Sequence, residues 1–408
     1  MTTNAEAGRW LAILGLGEEG GEGRGPKARE LLAKAELVAG GERHLALAQT
    51  LITGERLVWP HPLAQALPAI LARRGRPVAI LASGDPFCYG IGAFLARHVA
   101  PDEMIALPAP SAFSLACSRL GWALQDTATI SFCGRALAHL APLLQPGARI
   151  LALSEDGRTP EQIAAYLRIR GCGGSRLTLL EALGGPRERI RTAVPEQGLP
   201  EDIAALNLVA IEVVAQAGAR ILPQASGLAD DFFEHDGQIT KREIRAVTLS
   251  ALAPRAGEHL WDIGAGSGAI AIEWLLAHKA NRASAIERNP ERAARAARNA
   301  TTLGVPQLAI IPGTAPAALA DLAPPDAIFI GGGAQEPLLL ETAWAALKSG
   351  GRLVVNSVAL ETQAMLLASQ RRYGGTLTRL SVERLDALGS MQCLRPALAV
   401  LQWSAAKP

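Results

Sequence analysis

One ten-residue run constrains the fold of this chain more than any other feature: His259-Leu-Trp-Asp-Ile-Gly-Ala-Gly-Ser-Gly268. An apolar run enters a glycine-rich turn, and a helical pattern, Ala269–Ala277, leaves it directly. A strand feeding a helix in this way opens a doubly wound α/β layer. The glycines let the backbone bend sharply and admit a ligand close to the main chain. Glu287 stands 23 positions after Gly264, at the end of the next apolar run. A carboxylate there can accept hydrogen bonds from two ribose hydroxyls.

Two ligand classes satisfy this pattern. Gly264, Gly266 and Ala269 also fit a dinucleotide fingerprint, which makes an NAD-dependent oxidoreductase one reading. NAD would set a pyrophosphate against the turn and the helix start. Asp262, two residues before the first glycine, would oppose it. S-adenosylmethionine (SAM) carries an ammonium and a sulfonium but no phosphate, and so suits an acid at that place. The expected SAM site therefore comprises Asp262, Gly264, Ala265, Gly266, Ser267, Gly268 and Glu287, with Arg288 beside it. A bare turn without ligand is the plain alternative, and it leaves the well-spaced acid unexplained.

The next strand ends in Pro312-Gly-Thr-Ala-Pro316, where this fold type meets adenine, so Gly313 and Ala315 join the site. Many methyltransferases have an acid where Thr314 stands. The fourth strand ends in Phe329-Ile-Gly-Gly-Gly333 and lacks the Asn/Asp-Pro-Pro-Tyr signature of base-methylating enzymes. That argues against an exocyclic amine as methyl acceptor. Three glycines there leave room for a large flat ligand or simply make a tight turn.

The first half places turns at successive strand ends, where open α/β sheets bind ligands. They are Gly15-Leu-Gly17, Ala82-Ser-Gly-Asp-Pro-Phe-Cys-Tyr-Gly90, Pro108–Phe113, Phe132-Cys-Gly-Arg135, Glu181–Pro186 and Asn207–Ile211. The first is glycine-rich, but Glu18, Glu19 and Glu22 would repel phosphate, and no G-K-[ST] ending follows. Strands are expected at Trp10–Leu14, Val78–Leu81, Ile105–Leu107, Ile150–Leu153, Leu177–Leu180 and Leu208–Val214, and helices at Ser111–Leu120 and Pro160–Arg170. In the second half the expected strands are Leu260–Ile263, Ala283–Ile286, Leu308–Ile311, Ala327–Ile330 and Leu353–Val355. The Gly- and Pro-containing stretch Gln216–Gly227 separates two domains, 8–217 and 226–406.

Composition narrows the partners. A net charge of +2 with no run of five basic residues gives no footprint for nucleic acid, which disfavours an RNA methyltransferase. Five cysteines without a C-x-x-C pair read as reduced thiols of a cytoplasmic protein. No ligand spacing among the histidines points to a metal. Met1–Ala7 lacks the features of a signal peptide, and no apolar run is long enough to span a membrane.

Gln238-Ile-Thr-Lys-Arg-Glu-Ile-Arg245, the Asp262–Gly268 turn, Ala285-Ile-Glu-Arg288, Phe329–Gly333 and Val354-Val-Asn-Ser-Val-Ala-Leu-Glu361 resemble, in this order, the precorrin C15-methyltransferase/decarboxylase family. The resemblance covers about Gly227 to Met365 and implies a Rossmann-like class I SAM fold, with Thr240 added to the cofactor contacts. The turns of the first half, from about Trp10 to Val214, resemble the tetrapyrrole methylase family, with its two-lobed class III fold. Their closest likeness is to its precorrin C5-methyltransferase branch. That likeness implies a second SAM cleft lined by Gly15, Gly17, Gly84, Asp85, Cys88, Ser111 and Ala112.

Together the two resemblances imply a bifunctional enzyme of corrin-ring biosynthesis, one SAM per half. It would methylate C5 and C15 of a precorrin, remove the C12 acetate carboxyl, and yield precorrin-8X. A homo-oligomer is expected on the same ground. The reduced tetrapyrrole carries its own nucleophilic carbons, so the protein chiefly positions them against the sulfonium methyl. Its many carboxylates call for arginine forks. Lys241, Arg242, Arg245 and Arg135 are the candidates, Arg242 equally a solvated helix charge. His235 and Glu361 are candidates for moving protons.

Overall fold

The apolar runs of the first half fold as two separate sheets. The computed structural model describes residues 8–21 and 23–408. Met1–Ala7 and Glu22 lie outside the described residues. The chain divides into two units, one running to Leu137 and resuming over Gln145–Arg220, the other comprising Ala138–Leu144 and Ile221–Pro408.

In the first unit, β1 (Leu11–Leu16), β2 (Leu37–Gly40), β3 (Glu55–Val58), β4 (Val78–Ser83) and β5 (Met104–Leu107) form a parallel sheet of order β3-β2-β4-β1-β5. β1 and β4 read as unbroken apolar runs because both faces of each are covered. Their register pairs Leu16 with Ser83, which brings the Gly17 and Gly84 turns side by side.

The second sheet, of order β6-β7-β10-β8-β9, holds β6 (Ala128–Ser131), β7 (Arg149–Leu153), β8 (Arg176–Glu181), β9 (Arg189–Ala193) and β10 (Asn207–Glu212). Only β6 and β7 run parallel. The helix Ala112–Leu120 buries Phe113, Ala116 and Cys117 against Leu151, Leu180, Leu208 and Ala210 of this sheet. Ser111 caps it by accepting the Ser114 N–H at 3.1 Å, and Gly121, at φ 67°, ends it.

The second unit is one seven-stranded sheet of order β13-β12-β11-β14-β15-β19-β16. β11 (His259–Ile263), β12 (Arg282–Glu287), β13 (Ala309–Pro312), β14 (Ala327–Ile330) and β15 (Arg352–Ser357) are parallel. β16 (Thr376–Leu380) and β19 (Val400–Ala406) close the edge antiparallel, and a separate hairpin, β17 (Glu383–Leu388) with β18 (Met391–Pro396), stands between them in sequence. Trp261, Ile328, Val355, Leu366 and Trp403 pack in its core. Strand order reverses at β11 and β14, and the crevice outside that reversal is where such sheets take ligands.

Every strand expected from the sequence exists, with ends shifted by a residue or two; β10 stops at Glu212 rather than Val214. The expectations omitted β2, β3, β6, β9 and β16–β19. Most of these are edge or exposed strands, such as β3 (ERLV) and the wholly exposed β17, and lack the apolar run that marks a covered strand. Among the described residues, no helix is long and apolar enough to cross a membrane.

Candidate active sites

The register that pairs Ile263 with Ile286 sets Gly264 opposite Glu287. The turn is built from left-handed glycines, with φ of +73°, +58° and +76° at Gly264, Gly266 and Gly268. A Cβ on Gly264 would lie 3.0 Å from the backbone N and O of Gly332, so the two glycine turns can approach only without side chains. At Gly266 a Cβ would meet nothing nearer than the Gln238 carbonyl at 3.7 Å, which leaves an open cradle above the turn.

Glu287 holds that cradle. Its Oε2 accepts the Gly266 N–H at 2.8 Å and its Oε1 the Asn289 N–H at 2.9 Å. Each oxygen keeps a lone pair for a further donor. Asp262 is buried behind the turn: Oδ2 accepts the Ala271 N–H at 3.0 Å, and Oδ1 is buried without a partner. Burial first, and the nearby Glu287 second, push its pKa up to about 7. The expectation that Asp262 supplies the charge facing the turn is thus corrected. Its carboxyl lies behind the turn and favours the protonated form, and the acid that touches the turn is Glu287. An orphaned buried oxygen and an open glycine cradle both fit a cationic amino-acid ligand.

A cavity of about 740 Å³ collects most of the expected residues here: Thr240, Lys241, Asp262, the stretch Gly264–Ser267, Glu287, Arg288, Gly313, Ala315 and Gly331–Gly333. Lys241 stands at the N-cap position of the helix Arg242–Leu252 without capping it through its side chain, and its Nζ donates to the Gly237 carbonyl at 3.4 Å.

Five further expectations for this half are corrected. Gly268 starts the helix Ala269–Ala277 and lies outside the lining; a Cβ there would sit 3.1 Å from the Cβ of Ala296, so it serves helix packing. Arg245 is fully buried and spent: its Nε donates to Glu273 at 2.5 Å, its Nη1 to Asp230 at 3.1 Å and to the Thr240 carbonyl, and its Nη2 to the Leu228 carbonyl. It cannot reach a substrate. Arg242 donates to the Gly227 carbonyl at 3.1 Å, outside the lining. His235 is exposed and accepts the Gly237 N–H at 3.0 Å, and Glu361 is exposed in the first turn of the helix Leu360–Tyr373; neither lines the cavity.

Sequence reasoning missed Arg384 and Leu398, which also line it. They lie beyond the last strand that periodicity could find, in a segment whose alternation carries no covered face.

In the first unit, a cavity of about 500 Å³ is lined by Gly17, Gly84, Asp85, Cys88, Ser111 and Ala112, as the sequence led us to expect. Asp85 Oδ1 accepts the Phe87 N–H at 2.8 Å and so fixes the Gly84 turn. Burial, and then Asp85, raise the Cys88 thiol, so it is no ready nucleophile. Gly15 is a correction. It is buried in β1, outside the lining, and packs so closely that a Cβ there would fall 1.9 Å from the Gly84 carbonyl oxygen. Arg135 is another: it is exposed, 5.0 Å over the ring of Tyr89, outside the lining.

A cluster unforeseen from sequence sits in this cavity. His44 Nε2 is 2.8 Å from Ser83 Oγ, Arg43 donates to the same oxygen at 2.9 Å, and Arg43 also pairs with Glu18. Burial, then Arg43, push His44 down to about 4, so its imidazole is neutral at physiological pH. No motif signals it, since β2 and β4 bring the three residues together across about forty positions.

A switch-point cavity with a ribose-type acid, joined in one chain to a second α/β cleft lined by glycine turns, defines a double methyltransferase. The comparisons bear on both halves. Residues 11–197 match the Tetrapyrrole (Corrin/Porphyrin) Methylases family, and 231–407 the Precorrin methyltransferase domain family. A precorrin-6Y C(5,15)-methyltransferase [decarboxylating] of Sinorhizobium sp is 55% identical over 97% of this chain and 96% of its own. One of Mycobacterium tuberculosis is 40% identical over 97% of this chain and all of its own. The solved C-terminal domain of the Rhodobacter capsulatus precorrin-6Y C5,15-methyltransferase is 44% identical, covers 46% of this chain and all of that domain, and has a TM-score of 0.44.

The chain belongs to the precorrin-6Y C(5,15)-methyltransferase (decarboxylating) family. It is an enzyme of cobalamin biosynthesis that methylates and decarboxylates, with SAM as donor. The oxidoreductase and RNA-methyltransferase readings of the Gly264–Gly268 turn fall with that membership.

Proposed function

We propose that each cavity holds one SAM, that the first unit methylates C5 and the second C15 of a precorrin, and that the second also removes the C12 acetate carboxyl, giving precorrin-8X. The observation that carries this reading is the presence of two separate glycine-turn cavities, one in each unit, within one chain.

SAM, when bound, supplies an electrophilic methyl on a sulfonium. In the second unit the free lone pairs of Glu287 would take the ribose hydroxyls, and the glycine cradle would carry the amino-acid end over Gly266. The wall of Gly313 and Ala315 would face the adenine. In the first unit Gly17, Gly84 and Ser111 would line the corresponding cleft. The protein's contribution is to hold a nucleophilic carbon in line with the methyl and to exclude water.

The test is product mass from the full chain. Wild type should add two methyls and lose one carbon dioxide. Glu287→Ala should yield a product short of the C15 methyl and still carrying the acetate. Should Glu287→Ala still deliver both methyls, Glu287 holds no cofactor and the assignment fails. We further infer a cytoplasmic homo-oligomer. Leu385, Leu388, Met391 and Leu394 of the hairpin are all exposed, and self-association would cover them; sedimentation at monomer mass would overturn this.

A further inference from the structure

The cavity of the second unit has two unlike walls, and the difference locates its second ligand. This step rests on the reading of that cavity as the C15 site. The C-terminal ends of β11 and β12 and the segment after β14 carry every carboxylate in the lining: Asp262, Glu287 and Glu336. Arg288 and Arg292 are on this side too, and each has an acid near it, Glu336 at 4.0 Å and Asp236 at 2.9 Å. Beyond β15 the lining changes. It includes Val358, Ala359, Thr362, Val400 and the two feet of the β17–β18 hairpin, Val382 with Arg384 and Ala397 with Leu398, and none of these lining residues is an acid.

Two observations mark that side as unfilled. Leu398 is 78% exposed and Val358 49%, although both line a cavity. Open apolar side chains on a cavity wall are what the flat face of a ligand covers. Arg384 pairs with Glu243, but both side chains are 47% exposed. So exposed a pair is worth little, and a ligand carboxylate can replace Glu243 at small cost. The guanidinium fork then gains a charge-assisted partner.

We propose that the feet of the β17–β18 hairpin, with Val358, form the tetrapyrrole subsite: Val358 and Leu398 lie against a face of the macrocycle, and Arg384 exchanges Glu243 for one of its peripheral carboxylates. The cofactor keeps the acidic wall, and the polyanionic substrate takes the one that has none.

The experiment uses the full chain with precorrin-6Y, steady-state kinetics and SAM titration. Arg384→Ala should raise KM for the precorrin at the C15 step about tenfold or more, leaving kcat and SAM affinity in place. Arg384→Lys should fall between. Glu243→Gln should leave KM unchanged or lower it, because the competing carboxylate is gone. Leu398→Asp should raise KM by charge repulsion and lost apolar contact. An unchanged KM in Arg384→Ala overturns the subsite, as does a Glu243→Gln variant that matches the Arg384→Ala loss, since a structural latch needs both partners. Should Arg384→Ala not fold, Leu398→Asp decides, and an unchanged KM there rejects the subsite. A wild-type chain that adds no methyl to the precorrin sinks the functional reading itself, whereas normal turnover with insensitive variants sinks only the subsite.

Discussion

Arg245 and Glu273 meet at 2.5 Å with both side chains sealed from solvent. Glu273 also accepts the backbone N–H groups of Gly227 and Leu228, at 2.5 and 3.1 Å, and the Arg245 guanidinium lies 4.8 Å from the ring of Phe233. One buried pair thus ties the entry segment of the second unit to the helices Arg242–Leu252 and Ala269–Ala277. The residue that the sequence offered as a substrate fork is a fastener.

Removing one partner of such a pair leaves the other charge buried. Arg245→Ala should destabilise the second unit by about 3–5 kcal/mol in urea unfolding, while Arg245→Met with Glu273→Gln, which keeps an acceptor for the Gly227 and Leu228 N–H groups, should regain part of the loss. Wild-type stability in Arg245→Ala would contradict the burial argument. The folded fraction of either variant should keep its precorrin KM.

Gly15 makes a similar point in the first unit. Adding a methyl there places it 1.9 Å from the Gly84 oxygen and 2.6 Å from the Ala109 nitrogen, both backbone atoms that cannot rotate away. Gly15→Ala should cost about 1–3 kcal/mol and weaken SAM binding at the Gly84 turn, with the second unit's binding intact. Calorimetry that still counts two SAM per chain at unchanged affinity would refute it.

These two residues show what the sequence can and cannot reveal. Strand-turn-helix order was legible because covered parallel strands leave apolar runs and tight turns leave glycines. Glu287 was legible because its spacing from Gly264 follows from the length of one strand-helix unit. The functions of Arg245 and Gly15 were not. Both stand inside recognisable motifs, but whether a motif residue touches ligand or braces the residues that do depends on burial and on partners far along the chain. Glu273 is 28 positions from Arg245, and Gly84 is 69 from Gly15. Arg384 was invisible for the opposite reason: it lies in an exposed hairpin with no periodicity to read.

His44 predicts a pH effect on the first unit. Its folded pKa, about 4, lies below the ordinary 6.5, because burial and the adjacent Arg43 oppose the charged ring. The folded state resists a proton that the unfolded state accepts. Stability is therefore full above pH 6.5 and falls as the pH drops from 6.5 towards 4, by roughly 3 kcal/mol for the shift cited. His44→Gln, which can still accept from Ser83, should flatten that limb of the unfolding curve. An identical pH slope in the variant would remove His44 as its source.

Asp262 predicts a proton released when SAM binds. Its folded pKa of about 7 stands above the ordinary 3.8, and burial is the main cause. Below pH 3.8 both states are protonated. Between 3.8 and 7 only the unfolded chain ionises, so stability declines with rising pH over that window, by roughly 4 kcal/mol, and is level above it. A ligand that brings an ammonium and a sulfonium next to the turn favours the ionised carboxylate. SAM binding near pH 7 should therefore expel a fraction of a proton from the second unit, and its affinity should climb between about pH 6 and pH 8. Titration calorimetry in buffers of different ionisation enthalpy reads that proton directly. Asp262→Asn keeps an acceptor for the Ala271 N–H but has no proton to lose, so both the buffer dependence and the pH dependence should vanish. If the variant released the same proton, Asp262 would not be its source.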